Sequence, residues 1–131
     1  MTDPVIRRRN RANKRRGATY EVALVQWFRD RKWDAERISK KGKGDEGDVA
    51  VRLGTTFTGV AEYLVIEAKD EARHNFSGYL LEAAAEEQHF LHNRSHTPTS
   101  AVGIAVVKRR GKSVGESYVV MSLDTLHRLL T

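Results

Sequence analysis

Apolar residues recur along this chain with two different periods, and the points where the period changes mark out its elements. From Gly17 onward for about fifteen residues, Ala18, Val22, Val25 and Phe28 fall at helical spacing, which predicts an amphipathic helix. Residues 33–38 read as a short first strand, and the run SKKGKGDEG behind them is too rich in glycine and charge for regular structure. Alternation resumes at Asp48 and runs through Val49 and Val51 to Leu53. After the turn GTTFTG a third strand covers 62–69, so the second and third strands are expected to form a hairpin. Asn75 or Ser77 can cap a helix reaching Asn93, with Leu80, Ala83, Ala84, Glu87, Phe90 and Leu91 toward one side. Residues 101–107 and 117–121 give two more strands around the basic turn KRRGK, and 123–130 a short closing helix. Helices that precede and interrupt the strands need a sheet face to cover, so this order predicts an α/β fold with a central mixed β-sheet flanked by helices.

Charge appears in this pattern at places where apolar side chains are expected. Glu67 and Lys69 lie two apart on a strand and therefore share one face, opposite Leu64, Ile66 and Ala68. Glu21 falls inside the apolar stripe of the first helix, one turn after Ala18 and one before Val25, and should face inward. Asp48 opens the hairpin partner of the Glu67 strand. Carboxylates converging beside a lysine suit hydrolysis of a phosphodiester, which needs an activated water, neutralised phosphate charge and help for the departing oxygen. Magnesium takes oxygen ligands and is held by one or two carboxylates together with substrate phosphate. Asp48, Glu67 and Glu21 are the candidate ligands, with manganese an acceptable substitute ion, and the backbone carbonyl of Ala68 offers a further oxygen. Lys69 would orient the attacking water or stabilise phosphate charge. Against this stand two plainer readings: Glu67 and Lys69 as a surface ion-pair ladder, and Glu21 at the edge of its stripe, paired with an arginine such as Arg29 or one from residues 1–16.

With 131 residues, of which 40% are hydrophobic, the chain fits one domain. It has no cysteine, so disulfides, zinc thiolates and thiol nucleophiles are excluded. No apolar run approaches the roughly 20 residues needed to span a bilayer, which predicts a cytoplasmic protein without a membrane partner. The net charge of +6 is concentrated: of 23 lysines and arginines, seven (Arg7, Arg8, Arg9, Arg11, Lys14, Arg15, Arg16) fall together, leaving 16 against 17 acids elsewhere. Residues 1–16 thus read as a basic, flexible arm that binds phosphates, ahead of a single domain over 17–131. Lys40, Lys41 and Lys43, and Lys108, Arg109, Arg110 and Lys112, lie in glycine-containing loops where phosphate contacts are sterically easy. His89, His92 and His96 lack the partners of a transition-metal site, and no phosphate-binding loop supports a nucleotide cofactor.

The runs RRGATYEVALVQWF, GDEGDVAV and LVIEAKD resemble the PD-(D/E)xK nuclease superfamily, above all the archaeal-type Holliday junction resolvases and their phage-encoded relatives. The resemblance covers most of the chain after the arm. It implies a restriction-endonuclease-like fold and a magnesium site made by Glu21, Asp48 and Glu67, with Lys69 beside it. Gly47 stands where the family usually has proline. A serine or basic residue before the aspartate is also usual, and Ser39, Lys41 or Lys43 can correspond; Gln88 is a candidate for a later motif position. The resemblance further implies a homodimer that cuts four-way DNA symmetrically. The expected function is accordingly a magnesium-dependent endonuclease for branched DNA. The alternatives are a restriction-like, flap or single-strand nuclease of the same superfamily, and a noncatalytic nucleic-acid-binding module.

Overall fold

The structure, a computed structural model, describes residues 4–38, 48–54, 61–93 and 100–131, with side chains from Arg15 onward. The elements follow in the order α1 (Pro4–Asp30), β1 (Asp34–Arg37), β2 (Val49–Arg52), β3 (Tyr63–Lys69), α2 (Phe76–Asn93), β4 (Ala101–Val107), β5 (Tyr118–Val120) and α3 (Leu123–Leu130), with a single 3₁₀ turn at Val114–Glu116 before β5. The five strands form one sheet in the order β1-β2-β3-β4-β5. All neighbours are antiparallel except β3 and β4, which run parallel and are joined through α2. Among the described residues no helix is long and apolar enough to cross a membrane.

Alternation along the strands sorts the core into two layers. Val49, Val51, Ile66, Val102, Ile104 and Val106 turn to one face, where Tyr20, Leu24 and Val25 of α1 cover them, together with Leu129 of α3. Ala50, Val65 and Ala101 turn to the other face, against Phe90 of α2, and Ala105 and Val107 meet Tyr79 of the same helix. Gly103 lets α2 approach β4: a Cβ there would run into the backbone carbonyl of Ala83 and the Glu87 side chain. The Glu87 carboxylate accepts the Gly103 amide at 2.8 Å and meets Arg128 of α3 at 3.2 Å.

Two expectations about helices need correction. α1 begins at Pro4, well before Gly17, so backbone over most of the arm is helical; proline suits a first helical turn because it has no amide to leave unsatisfied, and Gly17 sits in the interior at a modest cost of about 0.5–1 kcal/mol relative to alanine. The buried stripe of α1 is Tyr20, Leu24 and Val25, whereas Val22, expected inside, is 53% exposed. α1 is stopped just past Asp30 by Lys32, whose φ of 69° lies in the left-handed region. The Trp33 amide donates to the Phe28 carbonyl and the Lys32 amide to the Arg29 carbonyl, both at 3.0 Å, the paired bonds of a Schellman cap. At the start of α2 the expected cap is present: Asn75 Oδ1 accepts the Gly78 amide at 3.0 Å.

Candidate metal and phosphate site

Asp48, Glu67 and Lys69 meet at one end of the sheet because β2 and β3 are antiparallel, so the start of one adjoins the end of the other. Val49 pairs with Ile66 and Ala50 with Val65, and Asp48, the residue just before β2, hydrogen-bonds to Ile66 and Ala68 on either side of Glu67. The Asp48 amide donates to the Ile66 carbonyl at 2.9 Å, while Asp48 Oδ2 accepts the Ala68 amide, also at 2.9 Å. The carboxylate thus takes over the hydrogen bond that backbone pairing would supply if β2 were longer. Amide and carbonyl of one residue point to the same side of an antiparallel strand, so the Ala68 carbonyl is directed past the end of β2, beside Asp48.

Glu67 is 6% exposed and Asp48 equally buried. Glu67 Oε1 meets Lys69 Nζ at 3.0 Å. Its other oxygen, Oε2, is buried with no hydrogen-bond partner among the described residues in their ionised forms. Nearest to it in chemistry is the carboxyl of Glu86, which can share a hydrogen bond with Glu67 when one of the two carries a proton. Burial pushes the Glu67 carboxyl up to about 7; the Glu86 hydrogen bond pulls it back, the Asp48 charge raises it further, and Lys69 lowers it. Lys69 behaves oppositely. Burial alone would favour its neutral form, but hydrogen bonds to Glu82, at 2.5 Å, and Glu67 hold it well above the usual lysine range, so it stays an ammonium at neutral pH. Its Nζ also stands 5.5 Å from the centre of the buried Tyr79 ring.

Carboxylate oxygens of Glu67, Glu82 and Glu86 lie within 4.8 Å of one another. Glu82 and Glu86 come from one side of α2, four residues apart, and Glu86 is 5% exposed. Reading the sequence missed this contribution because the apolar stripe of α2 was phased one residue off. The buried positions are Tyr79, Ala83, Glu86, Glu87 and Phe90. With Tyr79, Ala83 and Phe90 as the seam, Glu86 falls inside it, the same signal that singled out Glu21. Gln88 is exposed and lies on the other flank of α2, its amide donating to Glu87 at 3.4 Å.

Of the expected ligands, both Asp48 and Glu21 stand outside that group of mutually close carboxylates. Glu21 projects from α1, over the opposite sheet face, and its Oε1 meets Arg37 Nη2 at 3.5 Å with the Glu21 side chain 13% exposed. An arginine partner was one of the two readings for Glu21, and the arginine present is Arg37 of β1. Ser39, Lys40, Lys41 and Lys43 lie outside the described residues, as do the side chains of Arg7, Arg8, Arg9, Arg11 and Lys14; Arg15 and Arg16 are exposed on α1.

Glu67, Glu82 and Glu86, with Asp48 beside Glu67, offer only oxygen donors, which suit a hard divalent cation, and the buried Glu67 Oε2 is an acceptor that such a cation would satisfy. The residues therefore fit a magnesium-type ion. In comparisons with known proteins, neither a family model nor a curated protein matches the chain.

Proposed function

We propose that the chain is a divalent-metal-dependent endonuclease of the PD-(D/E)xK type acting on branched DNA, with four-way junctions as its preferred substrate and a homodimer as its working form. The observation that carries this reading is a buried carboxylate pushed up to about 7 beside Asp48, with a lysine held cationic at its side. A binding-only surface gains nothing from such an arrangement. Two carboxylates beside DNA repel phosphate, and burying one of them destabilises the fold.

Asp48, Glu67 and the Ala68 carbonyl would hold the ion, with Glu86 as an additional oxygen. When bound, the ion supplies Lewis-acid stabilisation of phosphate charge and a more acidic water. The chain's own residues do the rest. Asp48, fixed by the Ala68 amide, keeps its position without rearrangement. Lys69, held as an ammonium by Glu82 and Glu67, acts as a fixed cation for the phosphate oxygens, with the two carboxylates setting its direction. Basic side chains of the arm and loops would supply affinity through phosphate contacts that carry no sequence information.

The test is magnesium-dependent cleavage of a labelled immobile four-way junction beside matched duplex, flap and single-strand DNA. Paired, symmetric nicks confined to the junction are expected. Cutting of the other substrates instead would move the protein to another nuclease of the superfamily, and tight binding with no cleavage of any substrate would leave a noncatalytic module.

A further inference from the structure

Next to this site lies a second feature that the cleavage chemistry does not use. The turn after β4 carries Lys108, Arg109, Arg110 and Lys112, and together with Glu71, Ala72, His74 and Tyr118 it lines an open cleft of about 310 Å³. Asp70, which directly follows Lys69, anchors the turn: its side chain meets Arg110 Nε at 3.0 Å and Lys108 Nζ at 3.8 Å, and its carbonyl accepts Arg110 Nη2 at 3.3 Å. Gly111, at φ 81°, permits the tight reversal that gathers these cations. The cleft is therefore fixed to the end of the strand that bears Glu67 and Lys69.

One wall is aromatic, made by His74 and Tyr118, with Phe76 just outside it behind His74. His74 stacks on Phe76 with centroids 5.6 Å apart and planes 28° from parallel, and meets the Tyr118 ring edge-on at 6.0 Å. The Arg109 guanidinium sits 5.0 Å from the centre of the Tyr118 ring. Tyr118 and Phe76, each in contact with the His74 ring, remain 43% and 47% exposed, although large aromatic rings are normally drawn toward a core. An acidic protein surface would need only the cations. Exposed rings interleaved with cations match instead what an unpaired nucleotide offers, a π-face and a phosphate on one short strand.

We propose that this cleft binds single-stranded DNA, with bases against Tyr118 and His74, reaching the exposed Phe76 ring beyond His74, and phosphates on Arg109 and Lys112. It receives the unpaired nucleotides at the branch of the substrate, and in that role it rests on the nuclease reading above. The test measures fluorescence anisotropy of the full chain in EDTA with a short labelled oligothymidylate and with an abasic strand of the same length. Tyr118→Ala should weaken oligothymidylate binding about tenfold and leave the abasic strand almost unaffected, while Tyr118→Phe retains wild-type affinity. Lys112→Gln, in the exposed turn, should weaken both strands and lower the salt slope by about 0.7. Phe76→Ala, at the exposed start of α2, repeats the base-dependent loss if Tyr118→Ala does not fold. Equal losses for both strands in the aromatic variants, or wild-type binding by all of them, would overturn the inference. The nuclease reading fails separately: base-dependent binding without cleavage by the wild type leaves the cleft standing, and cleavage with binding indifferent to Tyr118 and Phe76 removes the cleft alone.

Discussion

Glu67→Gln should make the metal-free protein more stable at neutral and alkaline pH, the reverse of the usual effect of changing a buried residue. In the fold the Glu67 carboxyl is pushed from 4.5 up to about 7, chiefly by burial. Below the lower value folded and unfolded chains both hold the proton, so the residue costs nothing. Between the two values the unfolded chain releases it while the fold retains it, so stability falls as pH rises. Above about 7 the full penalty stands. A displacement of this size corresponds to about 3 kcal/mol at 1.36 kcal/mol per unit, or roughly 10 °C in Tm for a domain of this length. Glutamine reproduces the shape of the protonated side chain and cannot ionise, so the variant escapes the penalty. Urea or thermal denaturation followed by circular dichroism in EDTA, at pH 4.5, 6 and 8, gives the difference between variant and wild type and cancels the other titrating groups. That difference should grow from near zero to about 2–3 kcal/mol in favour of the variant. Magnesium should then narrow it, since only the wild type keeps a full set of ligands, and an ion at about a hundredfold its Kd adds about 2.7 kcal/mol. A variant less stable than wild type by the same margin at all three values would refute the reasoning and make Glu67 a structural anion paired with Lys69.

Three further outcomes follow from the geometry. Gly103→Ala should destabilise by about 1–3 kcal/mol, because its Cβ meets the Ala83 carbonyl and α2 must lift from β4; a urea midpoint equal to wild type would contradict this. Lys32→Gly should stabilise by about 1 kcal/mol, since the Schellman cap holds Lys32 at a φ of 69°, and thermal unfolding would register the gain. Deleting residues 1–16 should weaken junction binding at low salt much more than at high salt, the loss scaling with the phosphate contacts removed; salt titrations of binding by both forms read this directly.

Much of the fold was legible because apolar periodicity and turn chemistry agreed. Every strand lies within a residue or two of its expected span, Asn75 caps α2 as expected, and β2 and β3 form the hairpin that brings Asp48 to Glu67. What escaped depended on rotation and on pairing between distant segments. A one-residue error in the phase of α2 hid Glu86, and a similar error in α1 put Val22 inside. Nothing local could show that Arg37 meets Glu21, or that β3 and β4 run parallel, because both depend on how segments far apart in the chain pack. The charge state of Lys69 was equally unreadable in sequence: it is set by Glu82, contributed by α2 thirteen residues further along the chain.

The most direct test of the central claim is cleavage of a labelled four-way junction by wild type and Asp48→Asn, with magnesium or with EDTA, beside a binding measurement on the same samples. The account predicts paired nicks by the wild type with magnesium alone, no cleavage by Asp48→Asn, and junction binding by the variant at least as tight as wild type. Cleavage that survives in Asp48→Asn or in EDTA would contradict it.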